Sequence, residues 1–259
     1  MQKMAEEAKS RGVVAASTGN HAQSVAYAAS LFGVDAKIVM PHGVPSLKIE
    51  AVRALGAEVI IKGEHYDQAR EYAEKLTSAS KCLYVHASNE PLLFEGVGTM
   101  HLEIIEEQPD IDVVINPIGG GSGAASACMV YKTLDPHIKV IGVQAEGAPA
   151  FFNSWKSGTI TSTDGVRTAA EGLATSQAYE LPLKMLREQL DNVILVSDEE
   201  MRQAVRTIFS MTGQVAELAG AASTAAAIKI KGELRGKTLA LLVTGGNIEP
   251  KHLAQILSS

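Results

Sequence analysis

The chain has 259 residues, a length that suits one large domain or two small ones. Its 23 Lys and Arg against 29 Asp and Glu give a net charge of −6, which argues against a nucleic-acid footprint or an anionic-membrane binder. Only 1 Trp, 6 Tyr and 5 Phe accompany 23 Gly and 46% apolar residues, so a globular core of aliphatic and small side chains with tight turns is expected.

Short β-branched runs recur along the chain and are read as strands. They are Val13–Ala16, Ala36–Met40, Glu58–Ile61, Leu83–His86, Asp112–Ile115, Lys139–Val143, Asn192–Val196 and Thr238–Val243. Helical spacing separates them, as in Leu47, Val52 and Leu55, and then Tyr66, Ala69, Ala73 and Leu76. Gly33, Gly56 and Gly158 sit where helices should stop. Ser197-Asp198-Glu199-Glu200 reads as an N-cap with acidic first-turn residues, opening a helix to about Met211. Near-continuous apolar strands alternating with helices predict an α/β fold with parallel sheets covered on both faces. A seam near Pro91–Gly98 divides the expected fold into a small lobe, residues 1–95, and a larger lobe, residues 96–259. Ligands of such folds bind in the cleft between lobes. Cys82 and Cys128 lack ligand or disulfide spacing and read as buried thiols. No apolar run approaches the roughly 18–20 residues of a membrane span. The charged start from Met1 to Lys9 is not a signal peptide, so a cytoplasmic location is expected.

Three motifs carry chemistry. Asn116-Pro117-Ile118-Gly119-Gly120-Gly121-Ser122-Gly123 follows a strand and opens a small-residue helix from Ala124. Glycines gather several backbone N–H groups there and the helix adds its positive end, which makes an anion cradle suited to a phosphate. The plainer alternative is a tight turn with glycines for packing. Neither G-x-G-x-x-G nor a Walker pattern fits, which disfavours a dinucleotide or a nucleoside triphosphate. Ser17-Thr18-Gly19-Asn20-His21 places two hydroxyls, an amide and an imidazole at a helix start. It suits a substrate carboxylate or, equally, a plain N-cap with a solvated His21. Thr244-Gly245-Gly246 ends the last strand with one neutral hydroxyl and room for a flat ring. Taken alone, it is a strand-ending turn.

Together, in this order, the three motifs resemble the fold-type II pyridoxal-phosphate enzymes of the tryptophan synthase β kind, and among them the serine/threonine dehydratases. Supporting stretches are Pro45–Glu58, Glu95–Thr99, Asp164–Val166, Ser197–Glu200 and Glu217–Ala221, so the resemblance runs from about Gly12 to about Ile256. It implies that Gly119, Gly120, Gly121, Ser122 and Gly123 bind the cofactor phosphate. It implies likewise that Asn20 contacts the pyridoxal hydroxyl and that Thr244 meets the pyridine nitrogen. Ser17, Gly19 and His21 are implied to grip the substrate carboxylate. Thr18 stands where some members carry a serine acting as acid/base, and others an alanine. The implied reaction is β-elimination of L-threonine or L-serine to a 2-oxo acid and ammonia by a homo-oligomer, dimer or tetramer. A serine racemase-like or β-replacement enzyme, or a non-catalytic protein binding pyridoxal phosphate or an amino acid, is the alternative.

Two departures qualify the resemblance. The family's Schiff-base lysine belongs to a Ser-Phe-Lys-x-Arg-Gly-Ala-like segment ahead of the helix that Met1–Lys9 resembles, and Met1–Arg11 is read as a leftover linker helix. The lysine and the N-terminal part of the larger lobe are therefore expected to lie upstream of Met1, and the chain as it stands is expected to lack dehydratase activity. Lys3 and Lys9 sit in a charged amphipathic pattern and Lys48 matches a structural lysine, so none is expected to take the role. Some relatives bind a divalent cation near Glu146, but Phe151-Phe152 stand where a second acid belongs and no metal is expected. Glu217 is read as a carboxylate outside the reacting centre, or a hinge residue.

Overall fold

The computed structural model describes residues 5–258. It divides into two compact units, residues 1–87 and 88–259, each an α/β layer structure. In the first unit, β1 (Val13–Ala16), β2 (Ala36–Met40), β3 (Glu58–Ile61) and β4 (Leu83–Tyr84) form one parallel sheet in the order β3-β2-β1-β4. Alternate strand residues go to opposite faces, and both faces are covered, which explains the uninterrupted apolar runs. Val13, Ala15, Ile38 and Met40 pack beneath α1 (Ala5–Arg11), α2 (Asn20–Phe32) and α3 (Ser46–Ala54). Val14, Ala16 and Val39 pack beneath α4 (Tyr66–Ser80) through Ala69 and Ala73. Leu47, counted with the apolar face of α3, is 58% exposed, while Val52 of that face is buried.

The second unit repeats the pattern. After α5 (Pro91–Glu107) come β5 (Val113–Pro117), α6 (Ser122–Leu134), β6 (Lys139–Ala145), α7 (Ala150–Ser157), α8 (Glu180–Gln189) and β7 (Asn192–Val196). They are followed by α9 (Asp198–Thr212), α10 (Leu218–Lys229), β8 (Leu239–Leu241) and α11 (Pro250–Ser258). The sheet order is β7-β6-β5-β8, again all parallel. Val113, Ile115 and Val143 face α9 and α10, and Val114 and Val140 face α5, α6 and α8.

Helix ends follow their local chemistry. Gly33 and Gly158 close α2 and α7 at φ of 63° and 75°, in the left-handed region that glycine enters freely. Ser197 caps α9 reciprocally with Glu200: the serine hydroxyl accepts from Glu200 N–H at 3.2 Å, and the Glu200 carboxylate accepts from Ser197 N–H at 2.7 Å. Strand ends depart from expectation more than strand positions do. β5 runs on through Pro117 because that residue is the strand's last, beyond the end of its pairing with β8, where a missing N–H leaves no ladder bond unmade. β4 and β8 stop after Tyr84 and Leu241, since each is an edge strand leaving its sheet for a loop. Cys82 and Cys128 are both buried free thiols, and burial pushes Cys128 up to about 12. Among the described residues no helix is long and apolar enough to cross a membrane.

Candidate active site

Both sheets place their first strand in the interior, with the second and third to one side and the fourth to the other. In open parallel sheets ligands bind outside the carboxyl ends of strands where the order reverses. Here those places are the ends of β1 and β4 in the first unit, and of β5 and β8 in the second.

In the second unit, β5 leads into Gly119–Gly123 and β8 leads into Thr244, and the two strands pair in parallel with Ile115 opposite Leu241. The glycine loop and the Thr244 turn thus leave one sheet edge side by side. Among the described residues no acceptor answers the N–H groups of Gly119, Gly120 and Gly121. The first N–H groups of α6 are likewise without intrahelical partners by helix geometry. Around them the loop is packed tightly from behind. A Cβ at Gly119 would overlap the Gly172 carbonyl oxygen, and one at Gly120 would overlap the Ser88 hydroxyl. One at Gly121, which has φ of +94°, would lie 2.8 Å from Pro182 Cβ. Packing therefore explains the glycines, and the unanswered donors explain what the turn offers: a set of N–H groups with the chemistry a phosphate needs. The turn at Thr244 is held by the Glu217 N–H, which donates to the Gly245 carbonyl at 3.0 Å. Glu217 precedes α10 and serves here through its backbone.

In the first unit, Ser17 is buried at the end of β1, and its hydroxyl accepts from Gly19 N–H at 3.3 Å. The Thr18 hydroxyl has no partner among the described residues. A Cβ at Gly19 would meet nothing within 4 Å, unlike those of the second loop, so the protein's own packing does not require glycine there. Asn20 begins α2 and is exposed. His21 is not solvated: its Nε2–H donates to the Val85 carbonyl at 3.0 Å, just beyond β4. Burial lowers its pKa, opposed by that bond, so the ring is a neutral brace and not a cation for a carboxylate.

Among the other groups singled out in the sequence, Lys9 is exposed and pairs with Glu6 at 3.4 Å, and Lys3 lies outside the described residues. Glu146 is answered by Lys229 at 3.3 Å, and Lys229 also meets Glu200 at 3.1 Å. No group of three His, Cys, Asp or Glu suited to a metal occurs among the described residues. Sequence reasoning missed Ser88, Gly172 and His101 and gave Asn116 no role beyond opening the motif, and all four support the glycine loop. Of the three missed, His101 carried a signal: Phe94, Gly98 and His101, spaced four and three apart, share the buried stripe of α5.

Residues 1–245 match the family described as pyridoxal-phosphate dependent enzyme. The chain belongs to this family. It is 38% identical over 255 residues to an L-threonine ammonia-lyase of Thermotoga maritima, covering 98% of this chain and 63% of that one. It is 35% identical over 258 residues to an L-threonine ammonia-lyase of Geobacter sulfurreducens, covering 99% and 64%. The chain thus spans somewhat under two thirds of the length of these curated relatives. Among solved structures it resembles the processed form of threonine deaminase isoform 2 from Solanum lycopersicum, with a TM-score of 0.92 and 31% identity over 98% of this chain and 70% of that one. It also resembles maize serine racemase, with a TM-score of 0.91 and 29% identity over 98% and 78%.

Proposed function

We propose that this chain holds pyridoxal phosphate and a hydroxy-amino acid, L-threonine or L-serine, for β-elimination to a 2-oxo acid and ammonia. The observation that carries the reading is the emergence of the Gly119–Gly123 loop and Thr244 side by side where the second sheet reverses its strand order. The unanswered N–H groups of Gly119, Gly120 and Gly121 and the first turn of α6, Ser122 and Gly123 included, take the phosphate oxygens. Thr244 offers its hydroxyl to the pyridine nitrogen, and a neutral hydroxyl does not hold a proton there, which suits elimination over chemistry needing a stronger electron sink. Asn20 contacts the ring hydroxyl. Ser17, Gly19 and the first N–H groups of α2 bind the substrate carboxylate, with His21 fixing the loop against Val85. The bound cofactor supplies an electron sink for the α-carbon. Thr18, whose hydroxyl is unengaged, holds or returns a proton at its Oγ1. That last feature favours a second reading, a racemase-like activity.

No stretch of the chain matches the family's Ser-Phe-Lys-like segment, so binding and elimination are separate expectations. Titration with pyridoxal phosphate, then with L-threonine, L-serine or L-alanine, reads binding by absorbance. Release of 2-oxo acid reads elimination. We expect cofactor binding and a spectral response to the two hydroxy-amino acids, with turnover only once a lysine-bearing segment is joined in front. Absence of cofactor binding refutes the reading as a whole, and turnover by the chain alone refutes the role given to that segment. We further propose that the enzyme is a cytoplasmic homo-oligomer, whose mass sedimentation would give.

A further inference from the structure

Directly beneath the first turn of α6 lie two buried polar side chains, His101 of α5 at 0% exposure and Asn116 of β5 at 1%. His101 Nε2 is 3.2 Å from the Gly123 carbonyl oxygen and 3.4 Å from the Asn116 amide nitrogen. Tyr131 closes the far side, its ring edge-on to the imidazole at 5.3 Å between centroids. A Cβ at Gly123 would lie 2.9 Å from Asn116 Oδ1, so the helix can settle onto this side chain only with glycine there.

Such a cluster is an expensive way to fill a core. His101 Nδ1, Asn116 Oδ1 and Tyr131 OH have no hydrogen-bond partner among the described residues. Buried polar atoms left so are destabilising, and apolar side chains like the neighbouring Val114 and Phe94 would fill the same volume without that penalty. What an apolar replacement cannot supply is a donor to the Gly123 carbonyl. Burial holds the ring neutral, pushing its ionisation down to about 4, so the donor comes without a buried charge.

We propose that His101 and Asn116 are positioning residues for the anion cradle, fixing Gly123 from behind and thereby aiming the N–H groups of the loop and of the first turn of α6 at the cofactor phosphate. The proposal rests on the reading of Gly119–Gly123 as the phosphate loop.

The test compares the unsubstituted chain with His101→Leu, His101→Gln and Asn116→Leu, each checked by thermal melting. Each is titrated with pyridoxal phosphate, inorganic phosphate and pyridoxal, which lacks the phosphate. His101→Leu should weaken both phosphate-bearing probes roughly tenfold, the factor carried by one net hydrogen bond, and leave pyridoxal within about twofold. His101→Gln, whose amide nitrogen reaches the place of Nε2, should restore the phosphate affinities to within about threefold. Should His101→Leu fail to fold, Asn116→Leu is held to the same contrast between probes. Unchanged phosphate affinity overturns the proposal. So does an equal loss for pyridoxal, which general loosening of the fold would give, or failure of the glutamine to restore binding. If the unsubstituted chain binds pyridoxal but neither phosphate-bearing probe more tightly, the phosphate-loop reading itself falls, and this proposal with it.

Discussion

Gly121→Ala probes the glycine loop where the structure gives the cost in two parts. Gly121 has φ of +94°, and an alanine held in the left-handed region costs roughly 1–2 kcal/mol. Its Cβ would also lie 2.8 Å from Pro182 Cβ, where ordinary contact begins at 3.4 Å, so the loop and α8 must part by several tenths of an ångström. Neither side yields easily. Pro182 is a rigid ring in the first turn of α8, and Leu186 behind it is fully buried. On the other side the loop is anchored by the Ile118 N–H, which donates to Val143 O at 2.7 Å. Overpacking of this kind costs typically about 1–3 kcal/mol, so the sum is roughly 2–5 kcal/mol. For a chain of this size that lowers the melting temperature by roughly 4–20 °C. Because Gly121 is the cap residue immediately before α6, its displacement should weaken pyridoxal phosphate binding at least about tenfold. Thermal melting and cofactor titration read both effects. A variant that melts within about 1 °C of the parent and binds as tightly would show that neither the backbone angle nor the Pro182 contact constrains the loop.

Gly19→Ala should behave oppositely. Its Cβ enters open space, so stability should change by less than about 0.5 kcal/mol, while the affinity of the cofactor-loaded chain for L-threonine or L-serine falls at least about tenfold. Calorimetric titration with unchanged affinity would remove Gly19 from the substrate site. The third prediction concerns pH. His101 ionises at about 4 in the folded chain against 6.5 ordinarily, so the unfolded chain binds the extra proton between those values. Stability from this residue is therefore full above pH 6.5 and lost as pH falls toward 4, by about 3 kcal/mol in all. His21 and His86, also lowered chiefly by burial, act in the same direction. Urea denaturation at pH 7.5 and 5 should show a shallower pH dependence for His101→Gln than for the parent, and identical slopes would refute the neutral buried ring.

Strand positions were legible because both faces of each sheet are covered, and the resulting apolar runs are hard to mistake, as with Val13–Ala16 and Asn192–Val196. Strand order was not. Nothing local in Leu239–Leu241 says that it pairs with Val113–Ile115, more than a hundred residues earlier, and that pairing is what sets Thr244 beside the glycine loop. The motif residues were legible as types, but their division of labour was not. Gly19 and Gly119 read alike as loop glycines, yet one faces open space and the other abuts Gly172. His21 read as a substrate-gripping or solvated side chain, and only the adjacency of β1 and β4 brings it to Val85. Asn116 opens the glycine motif in the sequence, yet it is the fourth residue of a buried strand.

The proposed cradle contains no formal cation, in keeping with a chain of net charge −6. A lysine or arginine side chain can follow a phosphate through several rotamers, whereas a backbone N–H is fixed by the chain that carries it. Hydrogen bonds weaken steeply once donor and acceptor are misaligned, so a cradle of N–H groups holds its anion only if the loop is held in place. The supports gathered behind Gly119–Gly123 answer that requirement one residue at a time. Gly172 backs Gly119, Ser88 backs Gly120, Pro182 backs Gly121, and Asn116 with His101 backs Gly123. On this view the buried polar pair beneath α6 is the part of that support that acts through a directional donor, His101 Nε2–H to the Gly123 carbonyl, and not through packing alone.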